Sequence, residues 1–220
     1  MTLLICSPAS PGIAHLTNIT RGNKEEYAHR WQCEAAFPVY HGVEMDHGFG
    51  RIAFMYEYLP RADWLLFMGA DTMFMNMKTD MHQFCYDDAD LVAAWDSMGL
   101  QSDVLFLRNC TAVERFLESV LAKKEETLKR AGFMSSSDQG AIVRTLSGRD
   151  DYFDSDAPIS EQVIPVEQCQ NGGLRVRQAP RRINSYMDTF RLGDDIFHCP
   201  GMSMEDKIRH CLTMSKQVIR

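Results

Sequence analysis

Residues 63–76 read Asp-Trp-Leu-Leu-Phe-Met-Gly-Ala-Asp-Thr-Met-Phe-Met-Asn, and this stretch says more about the fold than any other part of the chain. Residues 64–68 are continuously apolar, which predicts a β-strand covered on both faces, as in an α/β sheet. A glycine, a small residue and Asp71 follow, and then a second apolar run begins. A carboxylate between two buried runs needs a partner. At the carboxyl end of a strand in an open α/β sheet, that partner is usually a ligand or a metal.

Asp71 is therefore a candidate ligand for Mn²⁺ or Mg²⁺, and such an ion could in turn hold a diphosphate. The alternative is an aspartate that only caps the turn after a core strand.

Length and composition limit the classes of protein to which the chain can belong. The chain has 220 residues, of which 45% are hydrophobic and 24% charged, so a globular protein of one compact domain is expected, with two small lobes as the alternative. The net charge of -7 argues against a general nucleic-acid binder. The charge of a phosphate-bearing ligand would therefore have to be balanced at its binding site, by a metal, a few arginines or helix amino termini.

The seven cysteines are scattered without a Cys-x-x-Cys pair, which favours reduced thiols over a disulfide framework or a zinc site.

No segment of the sequence predicts membrane insertion. The first apolar residues are too few for a signal peptide, and no apolar run approaches the roughly 20 residues that span a bilayer. The sequence therefore predicts a cytoplasmic protein with no membrane span, which could be one domain of a longer polypeptide.

Strand and helix signals alternate along the chain, which predicts an α/β sandwich with a central mixed, mostly parallel sheet flanked by helices. Strands are expected at 3–6, 37–40, 64–68, 90–95 and 103–107, with shorter ones at 163–166, 181–184 and 196–198. Helices are expected from Asn23, at 49–59, 111–130 and 138–146, and from Ser203.

Three further residues are candidates for chemistry. His198 ends an apolar run directly before a proline and glycine turn, and an imidazole beside a carboxylate suits Mn²⁺ better than Mg²⁺. A buried histidine bonded to backbone is the alternative. Asp138 begins a helix, where it is either a capping acid or a carboxylate near a reacting sugar. Arg51 opens a helix and either pairs with phosphate or is solvated.

Several short motifs occur in order over nearly the whole chain. They are Asn-Lys-x-x-Tyr-Ala at 23–28, the strand and acid segment at 64–76, Leu-Arg-Asn at 107–109, Asp-Gln at 138–139, Asn-Ser-Tyr at 184–186, and Gly-Asp with His-x-x-Gly at 193–201. Together they resemble the motifs of glycosyltransferase family 34, the galactosyl-, mannosyl- and xylosyltransferases with the GT-A fold. The resemblance implies one GT-A catalytic domain over 1–220, with a nucleotide-binding half of about 1–100 and an acceptor-side half of about 101–220.

The resemblance also implies an activity. The expected enzyme is a metal-dependent, retaining hexosyl- or deoxyhexosyltransferase that moves a sugar from a UDP-sugar to a glycan or glycoprotein acceptor. Mn²⁺ or Mg²⁺ would be held by Asp71 and His198 and would neutralise the departing diphosphate. Because the family retains anomeric configuration, Asp138 would face the sugar without having to act as an inverting base. The residues implied to bind the donor are Ser7, Pro8, Ala9, Ser10, Tyr27, Arg51, Ala70 and Asp71.

The sequence departs from the family pattern at two positions. Gly69 stands where the family has the first acid of an Asp-x-Asp motif, and Gln-Ser-Asp at 101–103 replaces an Asn-x-Gly element. Asp103 is accordingly expected to contact sugar hydroxyls and to join Asp138 as a catalytic residue. The missing acid also favours an alternative function, a non-catalytic module that binds sugar nucleotides. A nucleotidyltransferase ranks lower, because the turn at 7–12 lacks a basic residue for a triphosphate.

The family's usual membrane anchor is missing too, which favours a cytosolic enzyme of viral or bacterial origin. The chain is similar in size to the amino-terminal domain of a multidomain chlorella-virus glycosyltransferase, and a viral enzyme of this kind would act in the host cytoplasm.

Overall fold

A six-stranded mixed sheet forms the centre of the protein, and a two-stranded sheet lies beside it. The structure is a computed structural model that describes residues 1–39, 48–96, 99–130, 136–150, 165–169, 171–186 and 188–220. Its strands are β1 (Leu3–Cys6), β2 (Glu34–Ala36), β3 (Trp64–Met68), β4 (Thr72–Phe74), β5 (Leu91–Asp96), β6 (Gly99–Arg108), β7 (Val176–Gln178) and β8 (Ile196–His198). The order in the large sheet is β2-β1-β3-β6-β5-β7.

Strand direction in the large sheet is reversed at β6 alone. Strand β1 is parallel to both β2 and β3, and β7 is parallel to β5. Strand β6 lies antiparallel between β3 and β5. The expected mixed, mostly parallel sheet is therefore confirmed.

Helices cover both faces of the sheet. They are α1 (Ala14–Trp31), α2 (Phe49–Tyr58), α3 (Thr111–Ala122), α4 (Lys124–Leu128), α5 (Asp138–Ser147) and α6 (Met204–Ser215). Leu65 and Phe67 of β3 pack on the side of α2, α3 and α5, whereas Leu66 and Met68 pack on the side of α1. Because both faces are covered, every residue of β3 is buried, which explains its continuous apolar sequence.

The small sheet extends the end of β3. Three residues separate β3 from β4, which pairs antiparallel with β8, so that Thr72 lies opposite His198. Residues 69–71 form the link between the two sheets, and the small sheet packs against α1 and α6.

Several sequence predictions are confirmed by the structure. These are the strands at 3–6, 64–68 and 196–198, the helices at 49–59 and 138–146, and the Ser203 cap, whose hydroxyl oxygen accepts a hydrogen bond from the Asp206 amide. The strands expected at 90–95 and 103–107 are present with longer or shifted bounds as β5 and β6.

The first helix was predicted to begin too late. It begins at Ala14, and Asn23 lies in its interior rather than at its amino terminus. The Asn23 side chain bonds both the N–H and the carbonyl of Phe74, so its polar character serves the edge of β4 instead of a helix cap. The second strand was likewise misplaced, because β2 ends at Ala36; of the predicted range, residue 40 lies outside the described part of the chain.

Two other elements differ from expectation. The helix predicted at 111–130 is divided at Lys123 into α3 and α4. The strand predicted at 181–184 is a 3₁₀ helix, Arg181–Ile183, because its arginines turn to form ion pairs with Asp194 and Asp195. Of the strand predicted at 163–166, residues 163 and 164 lie outside the described residues, and Val166 begins another 3₁₀ helix. Among the helices that the structure describes, none combines the length and apolar character needed to cross a bilayer.

Candidate active site

Two carboxylates and an imidazole converge where the two sheets meet. Asp71 follows β3, Asp103 lies in β6, and His198 ends β8. One potential ligand atom from each side chain lies within 4.8 Å of the others. Three distant parts of the sequence therefore supply one compact cluster, which we call the acid–imidazole cluster.

His198 is held rigidly in this cluster. Its backbone N–H donates to the Ser185 carbonyl at 2.9 Å, and its ring lies 5.7 Å from that of Tyr186. The residue is 1% exposed, with Nε2 at 3.6 Å from Asp71 Oδ1 and 3.5 Å from Asp103 Oδ2. Both distances exceed those of ordinary hydrogen bonds. Within the described residues, Nδ1 has no hydrogen-bond partner either.

Asp71 carries an ion pair that the sequence analysis did not foresee. The Lys207 ammonium, on α6, donates to Asp71 Oδ2, and the Lys207 side chain is 21% exposed. The sequence offered only a weak signal for this lysine, its position on the helix that follows the His-x-x-Gly turn.

Arg51 joins the other two acids. One guanidinium nitrogen donates to Asp103 Oδ1 at 2.5 Å, and the other donates to Asp138 Oδ2 at 2.5 Å. Burial opposes the ionised form of both carboxyls and so acts to raise the pKa of each. At Asp103 the charges of Arg51 and His198 outweigh burial and lower the pKa, whereas at Asp138 burial prevails and the pKa is raised.

Gly48 makes room for Asp138. Its φ of +107° is strained for other residues, and a Cβ there would lie 2.2 Å from Asp138 Oδ1. Asp138 opens α5, where Ser137 caps the helix by accepting a hydrogen bond from Gly140 N–H.

Two side chains of α1 donate hydrogen bonds to carbonyl groups of the 69–71 link. The buried Lys24 ammonium donates to Ser7 Oγ at 2.8 Å and to the Gly69 carbonyl at 2.9 Å. Thr20 Oγ1 donates to the Ala70 carbonyl at 2.7 Å. Burial lowers the pKa of Lys24 to about 7.

A cavity of about 200 Å³ opens beside this link, between the turn after β1 and the first half of α1. Its lining comprises Ser7, Ala9, Ser10, Pro11, Ala14, Thr17, Asn18, Thr20, Arg21, Lys24, Phe37 and Val39. Small polar and apolar side chains, one aromatic ring and two basic side chains, those of Arg21 and Lys24, line it together, so the cavity combines apolar surface with a few polar groups.

The structure thus brings together most of the residues singled out from the sequence. Ser7, Ala9 and Ser10 line the cavity, while Pro8 is buried next to them. Tyr27 is placed differently. Its side chain is fully buried and stacks on Phe74, with ring centroids 3.7 Å apart.

The Tyr27 hydroxyl donates to the Thr79 carbonyl and accepts from the Met81 N–H. Tyr27 thus packs inside the fold and is not among the residues that line the cavity described above.

The acid–imidazole cluster fits a divalent cation chemically. Carboxylate oxygens and an imidazole nitrogen are ligands for Mn²⁺ or Mg²⁺, and the buried His198 ring makes no ordinary hydrogen bond among the described residues. Asp71 and His198, the two expected metal ligands, both belong to the cluster, and Asp103 joins them.

Comparison with solved structures identifies the fold. A glycosyltransferase involved in glycosylation of the major capsid of PBCV-1 superposes with a TM-score of 0.70 and 12% identity, over 97% of this chain and 100% of that one. The galactosyltransferase LgtC, in complex with donor and acceptor sugar analogs, gives 0.55 and 12%, over 98% and 95%. GlyE of Streptococcus pneumoniae gives 0.55 and 10%, over 98% and 64%.

No family model and no curated protein matches the sequence. At these identities the structural likeness establishes the fold: the chain has the GT-A-type α/β architecture that these glycosyltransferases share.

Proposed function

We propose that the protein is a metal-dependent, retaining glycosyltransferase that moves a sugar from a UDP-sugar to a glycan or glycoprotein acceptor. The observation that carries this proposal is the acid–imidazole cluster near a cavity at the end of β1, in a fold shared with glycosyltransferases. Residues 1–100 contribute the cavity and Asp71, and residues 101–220 contribute Asp103, Asp138 and His198.

The donor nucleotide is assigned to the cavity at the end of β1. Ser7 and Ser10 line it with hydroxyls. Arg21 adds a positive charge, although it pairs with Glu25 and lies over the Phe37 ring. Since the chain carries a net charge of -7, this local set of donors matters for binding an anionic nucleotide.

The diphosphate is assigned to the link at 69–71 and the cluster next to it. Asp71 and His198 would hold Mn²⁺ or Mg²⁺, which supplies Lewis-acid neutralisation of the departing diphosphate when bound. Lys207 already reaches Asp71, so its charge lies at the same place and would add to that neutralisation.

The sugar is assigned to the side of the cluster where Asp138 lies. Arg51 fixes the direction of the Asp138 carboxylate. A retaining reaction does not require this group as an inverting base, so we assign Asp138 to electrostatic stabilisation and orientation of the reacting sugar.

Calorimetric titration with UDP, in the presence and absence of Mn²⁺, tests the proposal. We expect UDP binding to require Mn²⁺ in the native chain and to be lost in Asp71→Asn and His198→Ala. Asp88→Asn, which changes an exposed acid on the surface, is the matched control and should bind as the native chain does. A donor-hydrolysis screen over UDP-sugars then tests catalysis, and the PBCV-1 likeness makes glycoprotein glycans the first acceptor class to try. Metal-independent UDP binding that Asp71→Asn leaves intact would contradict the metal site.

One observation favours a second candidate, a module that binds sugar nucleotides without transferring them. Gly69 deprives the 69–71 segment of one acid. Tight, Mn²⁺-dependent binding of UDP with no hydrolysis or transfer over a broad set of donors and acceptors would support this alternative over the enzyme.

A further inference from the structure

Gly69 and Asp103 are direct neighbours across two antiparallel strands. Met68 of β3 lies opposite Val104 of β6, and the Gly69 N–H donates to the Asp103 carbonyl at 2.8 Å. Residues opposite each other in such a ladder project side chains to the same face, with Cβ atoms roughly 5 Å apart. Any side chain at position 69 would therefore share its space with that of Asp103.

The space at position 69 is already filled by the Asp103 carboxylate. A Cβ on Gly69 would lie 2.8 Å from Asp103 Oδ1, 3.3 Å from Asp103 Cβ and 3.1 Å from Asp71 Oδ1. An acidic side chain at position 69 would thus have to displace the Asp103 carboxylate from its present place.

The two oxygens of Asp103 have different partners. Oδ1 accepts from Arg51, whereas Oδ2 points towards His198 Nε2 at 3.5 Å. His198 is 1% exposed and lies at nearly the same distance from Asp71. Two carboxylate oxygens and a buried imidazole nitrogen thus lie within 4.8 Å of one another without forming ordinary hydrogen bonds to each other.

We propose that Asp103 supplies, from β6, the carboxylate that Gly69 lacks, and that it is the second acidic ligand of the metal site. This inference rests on the proposed function, and it changes the role of Asp103 from contacting sugar hydroxyls to binding the cation. Arg51 then acts as a positioning residue, because it fixes Oδ1 and leaves Oδ2 directed at the cluster.

A carboxylate-exchange series tests the proposal, with Mn²⁺ affinity measured by electron paramagnetic resonance in the presence of UDP. The variants are Asp103→Asn, Asp103→Gly, Gly69→Asp and the double variant Gly69→Asp/Asp103→Gly, with Asp71→Asn as reference and Asp88→Asn as control. Loss of outer-shell partners alone costs about 10- to 100-fold in metal affinity. We therefore expect Asp103→Asn and Asp103→Gly to lose at least about tenfold.

The double variant should regain most of that loss, because it returns one carboxylate to the same space. Gly69→Asp alone should not improve on the native affinity, since its two acids compete for that space. Thermal unfolding of each variant separates loss of metal binding from loss of folding. Should Asp103→Asn fail to fold, the comparison of Asp103→Gly with the double variant carries the test, and the pair Asp103→Ser and Gly69→Asp/Asp103→Ser repeats it.

Native Mn²⁺ affinity in Asp103→Asn together with lost affinity in Asp71→Asn would overturn this inference and leave the proposed function standing. A double variant no better than Asp103→Gly would also overturn it. Absence of Mn²⁺ binding to the native chain with UDP would overturn the inference and the metal-dependent function together.

Discussion

Lys207 and Asp71 form an ion pair between side chains that lie 136 positions apart in the sequence. The pair connects α6 to the link between β3 and β4. The Asp71 carboxylate therefore has two roles, as partner of Lys207 and as candidate metal ligand. A divalent cation that binds Asp71 must therefore compete with the Lys207 ammonium for the oxygens of that carboxylate.

Lys207→Met should consequently change metal and nucleotide affinity in opposite directions. Without the competing ammonium, Mn²⁺ alone should bind several-fold more tightly, because a partly exposed ion pair is worth up to about 1 kcal/mol. UDP with Mn²⁺ should bind more weakly, because a positive charge is lost beside the diphosphate. Calorimetry with each ligand measures both effects, and a parallel change of the two affinities would contradict the assigned role.

Gly48→Ala should impair catalysis through Asp138. The added Cβ would lie 2.2 Å from Asp138 Oδ1, so the carboxylate must leave its bond to Arg51. We expect donor hydrolysis to fall at least about tenfold, the scale on which misplaced groups affect rates. UDP affinity with Mn²⁺ should stay close to native.

Gly22→Ala is the control for adding a methyl group at a glycine whose φ is not positive and whose Cβ position is open. Gly22 lies inside α1, and no atom approaches the position of its Cβ within 4 Å. This substitution should raise the free energy of unfolding by up to about 1 kcal/mol without changing activity. Equal losses of activity in the two glycine variants would contradict a role for Asp138 in catalysis.

Lys24 should give the protein a distinctive pH dependence of stability. Burial lowers its folded-state pKa to about 7, below the ordinary 10.5, so between these values the unfolded chain binds more protons than the folded one. Its contribution to the free energy of unfolding must then rise as the pH rises above 7. Urea unfolding at several pH values from 7 to 9 should show a steeper upward slope for the native chain than for Lys24→Met. Parallel slopes would show that the ammonium is not held in this environment.

Asp90 anchors β7 at the edge of the sheet. Its substitution tests a contribution to stability that does not involve the candidate active site. Its carboxylate accepts from Arg175 Nε at 3.0 Å, Nη2 at 2.6 Å and the backbone N–H at 3.1 Å. Because Arg175 is half-exposed, we expect Asp90→Asn to cost only about 1–2 kcal/mol in the free energy of unfolding.

The side-chain hydrogen bond from Arg175 lowers the pKa of Asp90 below 3.8. The stabilisation is therefore present above that value and is lost as the pH falls through the folded-state pKa. Urea unfolding at pH 7 and pH 3 measures both effects, and Mn²⁺ affinity at neutral pH should be unchanged. A variant as stable as the native protein at pH 7 would contradict the anchoring role.

Local patterns predicted the parts of the fold that local physics governs. The apolar run of β3 and the Ser203 cap depend on neighbours close in sequence, and both were located correctly. Asn23 misled the prediction because its amide serves the backbone of Phe74, a partner far along the chain.

The candidate site depends on pairings that sequence spacing does not encode. Asp71 and His198 were singled out by the runs they end, but the register that places Asp103 opposite Gly69 follows from the reversed direction of β6. Lys207 was missed for the same kind of reason, since only the packing of α6 brings its ammonium to Asp71.

Anomalous diffraction at the manganese absorption edge, from crystals grown with UDP and Mn²⁺, locates the metal ion directly. We expect one strong peak among the carboxylate oxygens of Asp71 and Asp103 and Nε2 of His198, at about 2.0–2.6 Å from the oxygens, the range for divalent cations. A peak elsewhere, or bound UDP with no manganese at these three side chains, would contradict this expectation.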